Sequence, residues 1–559
     1  MVSLKVAYVY VLATAIVTLL LSFASINVAL DTYESWVKYR CPFTERVMGI
    51  EPPKVQGDSV AKHVVFILLD GLGVDTLVES TSQEEFRRLV SMGAFYPNGL
   101  ANTPTYSVPA RASILTGAPP EINGVLSNDF KGALSIDNIA RASKDEGFKI
   151  LCVGDKSVEM LLSDVVDEYV EIEEGSGHGA IALAESLKLF KKYSEPGDRV
   201  FLWINVADVD IVGHLGGGSG SPEYKATAVN TGRLLLNFLE SLAEEDALII
   251  LMSDHGFKEF GHHGGAEMEV RRVFTLFIGP KVKSGMYNTS YTHNDLAPTV
   301  AMLMGLRVPA QSIGSVIIDG FDVPKEKVEM YSVASKEQAS KVVTTIGEFY
   351  GTRVLEDPWK SYLAIKDQVY SEGMGSRIVI VSALAIPLVA GIYASLRIHS
   401  MVSRRLIPLT VIGVLVYEVT CWVTYSSLAG PMSLSDALSL GDLLEKTKIS
   451  AVVASITLAI SLALVELTPF RVGISKLLVP TVTVLAFATI LGLLCATPFY
   501  LGYGSMVRFP PPDWNDGFMF FVYLMKASFT GFLGLPISLA IVALFSIVGL
   551  RLQKYEGAR

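Results

Sequence analysis

The chain has 559 residues, half of them hydrophobic, and a mean hydropathy of +0.42, which excludes both a single small domain and a wholly water-soluble protein. Its net charge of −10 is uneven, with 33 Lys+Arg against 48 Asp+Glu in residues 1–376 and 13 against 8 in residues 377–559. The acidic part offers no electrostatic footprint for nucleic acid, and the dispersed cysteines Cys41, Cys152, Cys421 and Cys495 form neither a disulfide framework nor a zinc-knuckle spacing.

The first element is an apolar run over 7–29, long enough to cross a bilayer and longer than a signal-peptide core, so residues 1–30 are expected to be a retained transmembrane anchor. Residues 31–376 read as aqueous. Apolar runs of strand length at 64–69, 149–153, 200–206 and 247–252 alternate with helical stretches such as 223–243, the pattern of an α/β, doubly wound, mostly parallel sheet with helices on both faces. The expected divisions are a catalytic domain over 31–330 and a helical connector over 331–376. From Arg377 onward, apolar runs near 378–396, 406–427, 450–468, 477–500 and 527–550 predict five further transmembrane helices, making a membrane domain of 377–559. Lys5, then Arg397, Arg404 and Arg405, then Arg471 and Lys476, then Arg551, Lys554 and Arg559 all fall on one side of a six-helix count. That side is expected to be cytoplasmic, together with both termini. The acidic domain, its Asn288–Thr289–Ser290 sequon, and the loops 428–449 and 501–526 are then expected outside. One acid, Glu418, falls near the middle of a predicted span, where an ionisable group is costly and often functional, or else hydrogen-bonded as a neutral acid.

Three strand-like runs end in acid: Asp70 closes HVVFILLDGLG, Asp208 and Asp210 close FLWINVADVD, and Asp254 closes ALIILMSDHG. A single such aspartate is an ordinary turn or cap residue. Three together suit the ligand crevice beyond the carboxyl ends of an open α/β sheet. His214 in DIVGH, His255 in SDHG, and His262 and His263 in GHHGG add nitrogen donors nearby, whereas His63, His178, His293 and His399 lack that context. Aspartate and histidine without cysteine are the ligand types of a catalytic zinc or manganese site. There are enough of them here for two metals, which can stabilise both the attacking and the leaving oxygen of a phosphoryl displacement. The segment TPTYSVPARASILTG supplies a hydroxyl: Ser107 suits the N-cap of a helix with Pro109 in its first turn and Gly117 at its end, and Thr105 competes as cap or nucleophile.

The ordered set LLDGLG, PTYSVPARASILTG, GVLSND, DIVGH, SDHG and GHHGG, with THNDLAPTVAMLMGLRVP at 292–309, resembles the alkaline phosphatase superfamily over about 60–325, in particular its type I phosphodiesterase/nucleotide pyrophosphatase branch. In layout the chain is similar to the glycosylphosphatidylinositol ethanolamine-phosphate transferases, which join such a domain to a multispanning region. The resemblance implies an alkaline-phosphatase-like fold and a metal-dependent phosphodiesterase or phosphoryl (phosphoethanolamine-type) transferase. Two divalent ions are implied, zinc with manganese as the alternative. It places one ion on Asp210, His214 and His263, and the other on Asp70, Ser107, Asp254 and His255. It also makes Ser107 rather than Thr105 the nucleophile, two residues before Pro109, and gives Asn128 a phosphate oxygen to hold. His262 stands where the resembled transferases carry a serine, so His263 is taken as the ligand.

Two rivals remain on the sequence. SVPARASILTG also fits a sulfatase nucleophile pattern with serine in place of cysteine, but sulfatases pair aspartates where this chain has Asp70 followed by Gly71. A non-catalytic receptor or transporter leaves six intact catalytic motifs without a use. The expected substrate is a phosphodiester or lipid-linked phosphate at the membrane, with no nucleic acid. The 501–526 loop, with Arg508, Pro510–Pro512 and Trp514, suits an interfacial surface that would meet membrane lipid.

Overall fold

Each strand-length apolar run becomes a strand in the computed structural model, which describes residues 2–556 except 81–82, 243–244, 430–432, 438, 469–471, 474–475 and 510–512. The strands are β1 His63–Leu69, β2 Ala94–Leu100, β3 Phe148–Gly154, β4 Glu168–Glu171, β5 Arg199–Val206, β6 Ala247–Ser253, β7 Arg272–Ile278, β8 Gly285–Met286 and β9 Tyr291–Thr292. They form one sheet in the order β4-β3-β5-β1-β6-β7-β2-β8, with β9 also on β2. Pairing is parallel from β4 to β6, antiparallel for β6–β7 and β7–β2, and parallel again where β8 and β9 join β2.

Side chains alternate across this sheet, so its central strands are buried on both faces. Val64, Phe66 and Leu68 pack with the helices Ser107–Thr116, Ile139–Asp145 and Leu296–Met304, while Val65, Ile67 and Leu69 pack with Val74–Ser80, His178–Tyr193 and Pro222–Ser241. The helix Lys325–Tyr350 is packed in as well: Tyr331 donates to the Leu306 carbonyl at 2.9 Å, and Val342 and Ile346 are fully buried. Register sets the site, because Leu69 lies beside both Val206 and Ser253. The chain segments carrying Asp70, Asp208–Asp210 and Asp254 therefore leave the sheet together.

Cα clustering divides the chain into this α/β unit, Trp36–Val369 with Arg508–Trp514, and a helical unit of Met1–Ser35, Tyr370–Val507 and Asn515–Arg559. Among the described residues, six helices are long and apolar enough to cross a membrane, one N-terminal and five C-terminal: Lys5–Val37, Pro358–Val402, Leu406–Ala429, Leu440–Leu464, Leu478–Tyr503 and Trp514–Phe545. Three begin well before the apolar runs predict, the first of them at Pro358 rather than near 378, within the expected connector. The run expected at 450 starts at Leu440, because the Ser439 hydroxyl caps the Asp442 amide at 3.2 Å and Asp442 pairs with Lys446 one turn on, so a polar first turn is helical. The run expected at 527 starts at Trp514, which turns half of the predicted 501–526 loop into helix. That correction moves Lys526 from a loop end into a buried helical position, where it pairs with Glu418 and lies 5.2 Å from the Trp422 ring. Glu418 therefore has Lys526 as its partner. Pro510–Pro512, Arg471 and Arg559 lie outside the described residues.

Candidate active site

Asp70 emerges from β1 at a turn that requires glycine: Gly71 has φ +72°, and a Cβ there would lie 2.8 Å from Phe257 and 3.0 Å from Asp210. The Gly71 amide donates to Asp254 Oδ1 at 3.1 Å, joining the ends of β1 and β6. After β5 the chain turns at once into the helix Asp208–Gly216, so Asp210 and His214, four apart, share a face. Asp208 points elsewhere, accepting from the Gly179 amide.

Ser107 is the first residue of the helix Ser107–Thr116, which Gly117 ends in the left-handed conformation. It is not the expected N-cap. That position belongs to Tyr106, which makes no side-chain cap, and the Val108 amide is taken by Asn128 Oδ1 at 3.0 Å. The Ser107 hydroxyl is thereby left to the cluster, 3.3 Å from Asp70 Oδ1 and 3.2 Å from His255 Nε2. Asn128 is exposed, and with its oxygen committed the Nδ2 amine is the donor that remains for a ligand. The Thr105 hydroxyl is bound into the glycine loop, donating to the Gly265 carbonyl at 2.8 Å and accepting from the Gly264 amide at 2.9 Å.

Two sets of donor atoms converge within 4.8 Å of one another: Asp210, His255 and His263, and Asp70, Asp254 and His255. His214 adjoins the first, with its Nε2 3.0 Å from His263 Nε2 and 3.5 Å from Asp210 Oδ2. His255 and His263 stack at 3.7 Å. Their Nδ1 atoms face carbonyls, Gly256 at 3.1 Å and Thr105 at 2.8 Å, so both carry Nδ1 protons and turn Nε2 lone pairs into the cluster. His262 stays outside both sets, its Nδ1 3.2 Å from His214 Nδ1, where it backs that ring.

The donor set fits cations. Asp210 Oδ1 and Asp254 Oδ2 are buried with no hydrogen-bond partner. Burial and the neighbouring Asp70 charge push both carboxyls well above the usual carboxylate range, while burial lowers His214, holds His255 down at about 4 and, with the adjacent imidazoles, depresses His263. The imidazoles are thus neutral and cannot balance the acids.

Three polar residues not singled out in the sequence complete the site. Arg111, buried and one turn after Ser107, donates to Asp70 Oδ2 and to both Asp155 oxygens, at 2.9 and 2.8 Å. Asn205 donates to Asp155 as well. Asp155 follows β3 directly and caps the helix Lys156–Leu161. It is a fourth strand-end acid, and the rule that found the other three could have found it. With Asp210 and Asp254 ionised by bound cations, Asp70, Asp155, Asp210 and Asp254 against Arg111 would leave three negative charges, which two divalent ions and an ionised Ser107 would neutralise. His63, His178 and His293 are bonded to backbone groups of Val200, Ala207 and Ser253.

Residues 64–146 match the family model of type I phosphodiesterase/nucleotide pyrophosphatase. The chain is 24% identical over 306 residues to the human "GPI ethanolamine phosphate transferase 2, catalytic subunit", covering 48% of this chain and 30% of that one. It is 24% identical over 285 residues to "GPI ethanolamine phosphate transferase 2" of Candida albicans, covering 46% and 32%. The matched stretch spans about a third of the length of these curated relatives. Among solved structures, the alkaline phosphatase PafA aligns with a TM-score of 0.39 at 14% identity over 47% of this chain and 99% of that one. The phosphonate monoester hydrolase SpPMH of Silicibacter pomeroyi aligns with a TM-score of 0.36 at 14% identity, over 47% and 78%. The stretch of the α/β unit that carries Asp70, Ser107 and Asn128 is therefore similar to type I phosphodiesterase/nucleotide pyrophosphatase.

Proposed function

We propose that this chain is a membrane-anchored phosphodiesterase or phosphoryl transferase that works through a phosphoserine on Ser107, with phosphoethanolamine as the transferred group. The observation that carries the reading is the convergence of the Ser107 hydroxyl with Asp70 and His255 beside unpartnered carboxylate oxygens and inward-facing imidazole nitrogens. The names of the human and Candida albicans relatives supply the transferred group.

Asp210, His214 and His263 would hold one divalent ion, and Asp70, Ser107, Asp254 and His255 the other. When bound, these ions supply Lewis acidity toward the serine oxygen and the leaving oxygen. Arg111 holds Asp70 Oδ2, which keeps Oδ1 toward Ser107. The Ser107 hydroxyl gives up its proton to water and its oxygen attacks phosphorus, while the bond from phosphorus to the ester alcohol opposite breaks and that alcohol takes a proton from water. The Asn128 amine steadies a non-bridging oxygen. Water or an acceptor hydroxyl then attacks from the vacated side and gives its proton to solvent water, the bond to Ser107 breaks, and the serine takes a proton from water. The basic residues of one side favour a cytoplasmic location for both termini and an extracytoplasmic α/β unit.

The test is mass spectrometry of the purified full-length protein quenched during turnover of a phosphoethanolamine diester. A phosphoethanolamine adduct on Ser107 is expected. An adduct on Thr105, or full activity in Ser107→Ala, would reject the assignment.

A further inference from the structure

The acidic part of the chain reverses its sign in one cavity. Residues 1–376 carry 48 acids against 33 basic residues, yet the walls of a cavity of about 570 Å³ hold three cations, Arg40, Arg46 and Lys131, and one acid, Glu45. Three parts of the α/β unit build it: the stretch 40–46, the segment 123–135, and Phe349 near the end of the helix Lys325–Tyr350. Its volume is that of a small-molecule pocket. Neither Ser107 nor any of the clustered aspartates and histidines lines it.

The two guanidinium groups lie over aromatic rings instead of against carboxylates. Arg40 is 5.8 Å from the centre of the Phe130 ring, and Arg46 is 5.0 Å from that of Phe349. Phe43, fully buried, meets the Phe349 ring edge-on at 6.1 Å and so sets its plane. Among the described residues, no acid pairs with Arg46 or Lys131, and Arg40 spends one donor on the Tyr39 carbonyl at 2.7 Å. Glu45 is exposed and makes no ion pair with them, and the carboxylate of Glu121, close to Cys41, is taken by the Tyr362 hydroxyl. Elsewhere in the same unit the rule is the opposite: Arg88, Arg141, Lys144, Lys192 and Arg307 each meet an acid. A guanidinium laid on a ring keeps its N–H edge free, and that edge matches the oxygens of a phosphate.

We propose that this cavity is a second ligand site of the α/β unit, built for a phosphate monoester dianion. Two guanidiniums and an ammonium offset its two charges, and the exposed Ser135 hydroxyl adds a donor. The rings of Phe130 and Phe349 give the attached carbon skeleton an apolar wall. The site stands whether or not the Ser107 cluster transfers phosphoryl groups. Two sources offer the same chemistry. A soluble sugar or glycerol phosphate reaches the cavity from water. An acidic phospholipid headgroup reaches it from a bilayer, because only three residues of backbone, at most about 11 Å, separate Arg40 from Val37 at the end of the candidate span Lys5–Val37.

Native mass spectrometry of the full-length protein in detergent micelles tests this, with glycerol 3-phosphate titrated in one arm and phosphatidic acid in the other. Each titration is run with metals bound and again after chelation, which removes any ligand held by cations at the cluster. One saturable ligand that survives chelation is expected. Arg46→Gln and Lys131→Gln should each weaken it about tenfold, and Arg46→Lys should recover part of the loss. Binding of glycerol 3-phosphate alone assigns the site to a soluble ligand, binding of phosphatidic acid alone to a lipid, and binding of both to the phosphate group itself. All three support the proposal. It is overturned if neither probe binds saturably, if binding disappears with the metals, or if both glutamine variants bind as the natural chain does. Arg46 and Lys131 are exposed, and Lys131→Gln decides the matter if Arg46→Gln fails to fold.

Discussion

Both units bury charge, and they do so by opposite rules. In the helical unit Glu418 meets Lys526 one to one. In the α/β unit Asp70 and Asp155 share a single guanidinium, and Asp210 and Asp254 lie beside them among imidazoles that burial keeps neutral. A matched pair is an architectural solution to placing ionisable groups in an apolar setting. An unmatched excess of acid must either take up protons, as the raised Asp210 and Asp254 carboxyls favour, or be joined by something cationic, so the imbalance itself marks where cations would act.

The largest expected effect concerns the reacting group rather than the balance. Ser107→Ala should lower turnover at least about a thousandfold, with metal content nearly retained because the other ligands remain. Kinetics and elemental analysis of the same preparation check this, and loss of both ions would recast Ser107 as a structural ligand.

Removing the cations tests the imbalance directly. The chain should carry close to two zinc or manganese ions, and a chelator should abolish activity reversibly and lower the melting temperature. His263→Ala should lose one ion. His262→Ala should keep both and bind them roughly 10- to 100-fold more weakly, since it supports the His214 ring from behind. Metal titration against a competing chelator separates these cases.

Arg111→Ala should cost about 3–5 kcal/mol in chemical denaturation without metal, because it strands Asp70 and Asp155 together in a buried site. Added metal should recover part of that loss. A variant as stable as the natural chain would mean that the guanidinium is not what offsets the acids.

The smallest effect is expected from the matched pair. Lys526→Met and Glu418→Gln should each destabilise the helical unit, and combining them should restore most of the loss. Turnover of a soluble diester should not change in any of the three. A double variant worse than either single would show that the pair does more than match charge.

Much of the site was legible because β1, β5 and β6 are uninterrupted apolar runs that end in aspartate, and the parallel register then brings those ends together. The antiparallel edge was not. β2 contains Pro97 and Asn98 and shifts register between Tyr96 and Gly99, so it has neither a clean apolar run nor strict alternation. Arg111 was missed because its partners lie 41 and 44 residues away, and nothing local says that a helical arginine faces inward. In the membrane half, hydropathy located the spans but set three starts too late, two of them because helical hydrogen bonding carries on through the polar turns at Leu440 and Trp514.

The division of the chain also bears on the order in which the protein is made. The α/β unit takes in Trp36–Val369 and then, after a long excursion through the helical unit, Arg508–Trp514. A ribosome working at roughly 5–20 residues per second needs on the order of 10 to 30 seconds to travel between those two pieces. During that interval the sheet and the acidic cluster can already be assembled, while Trp514 has yet to be synthesised. That last piece of the α/β unit can therefore be laid down only after the intervening spans, so the nascent chain holds Ser107 and the strand ends before it holds Trp514.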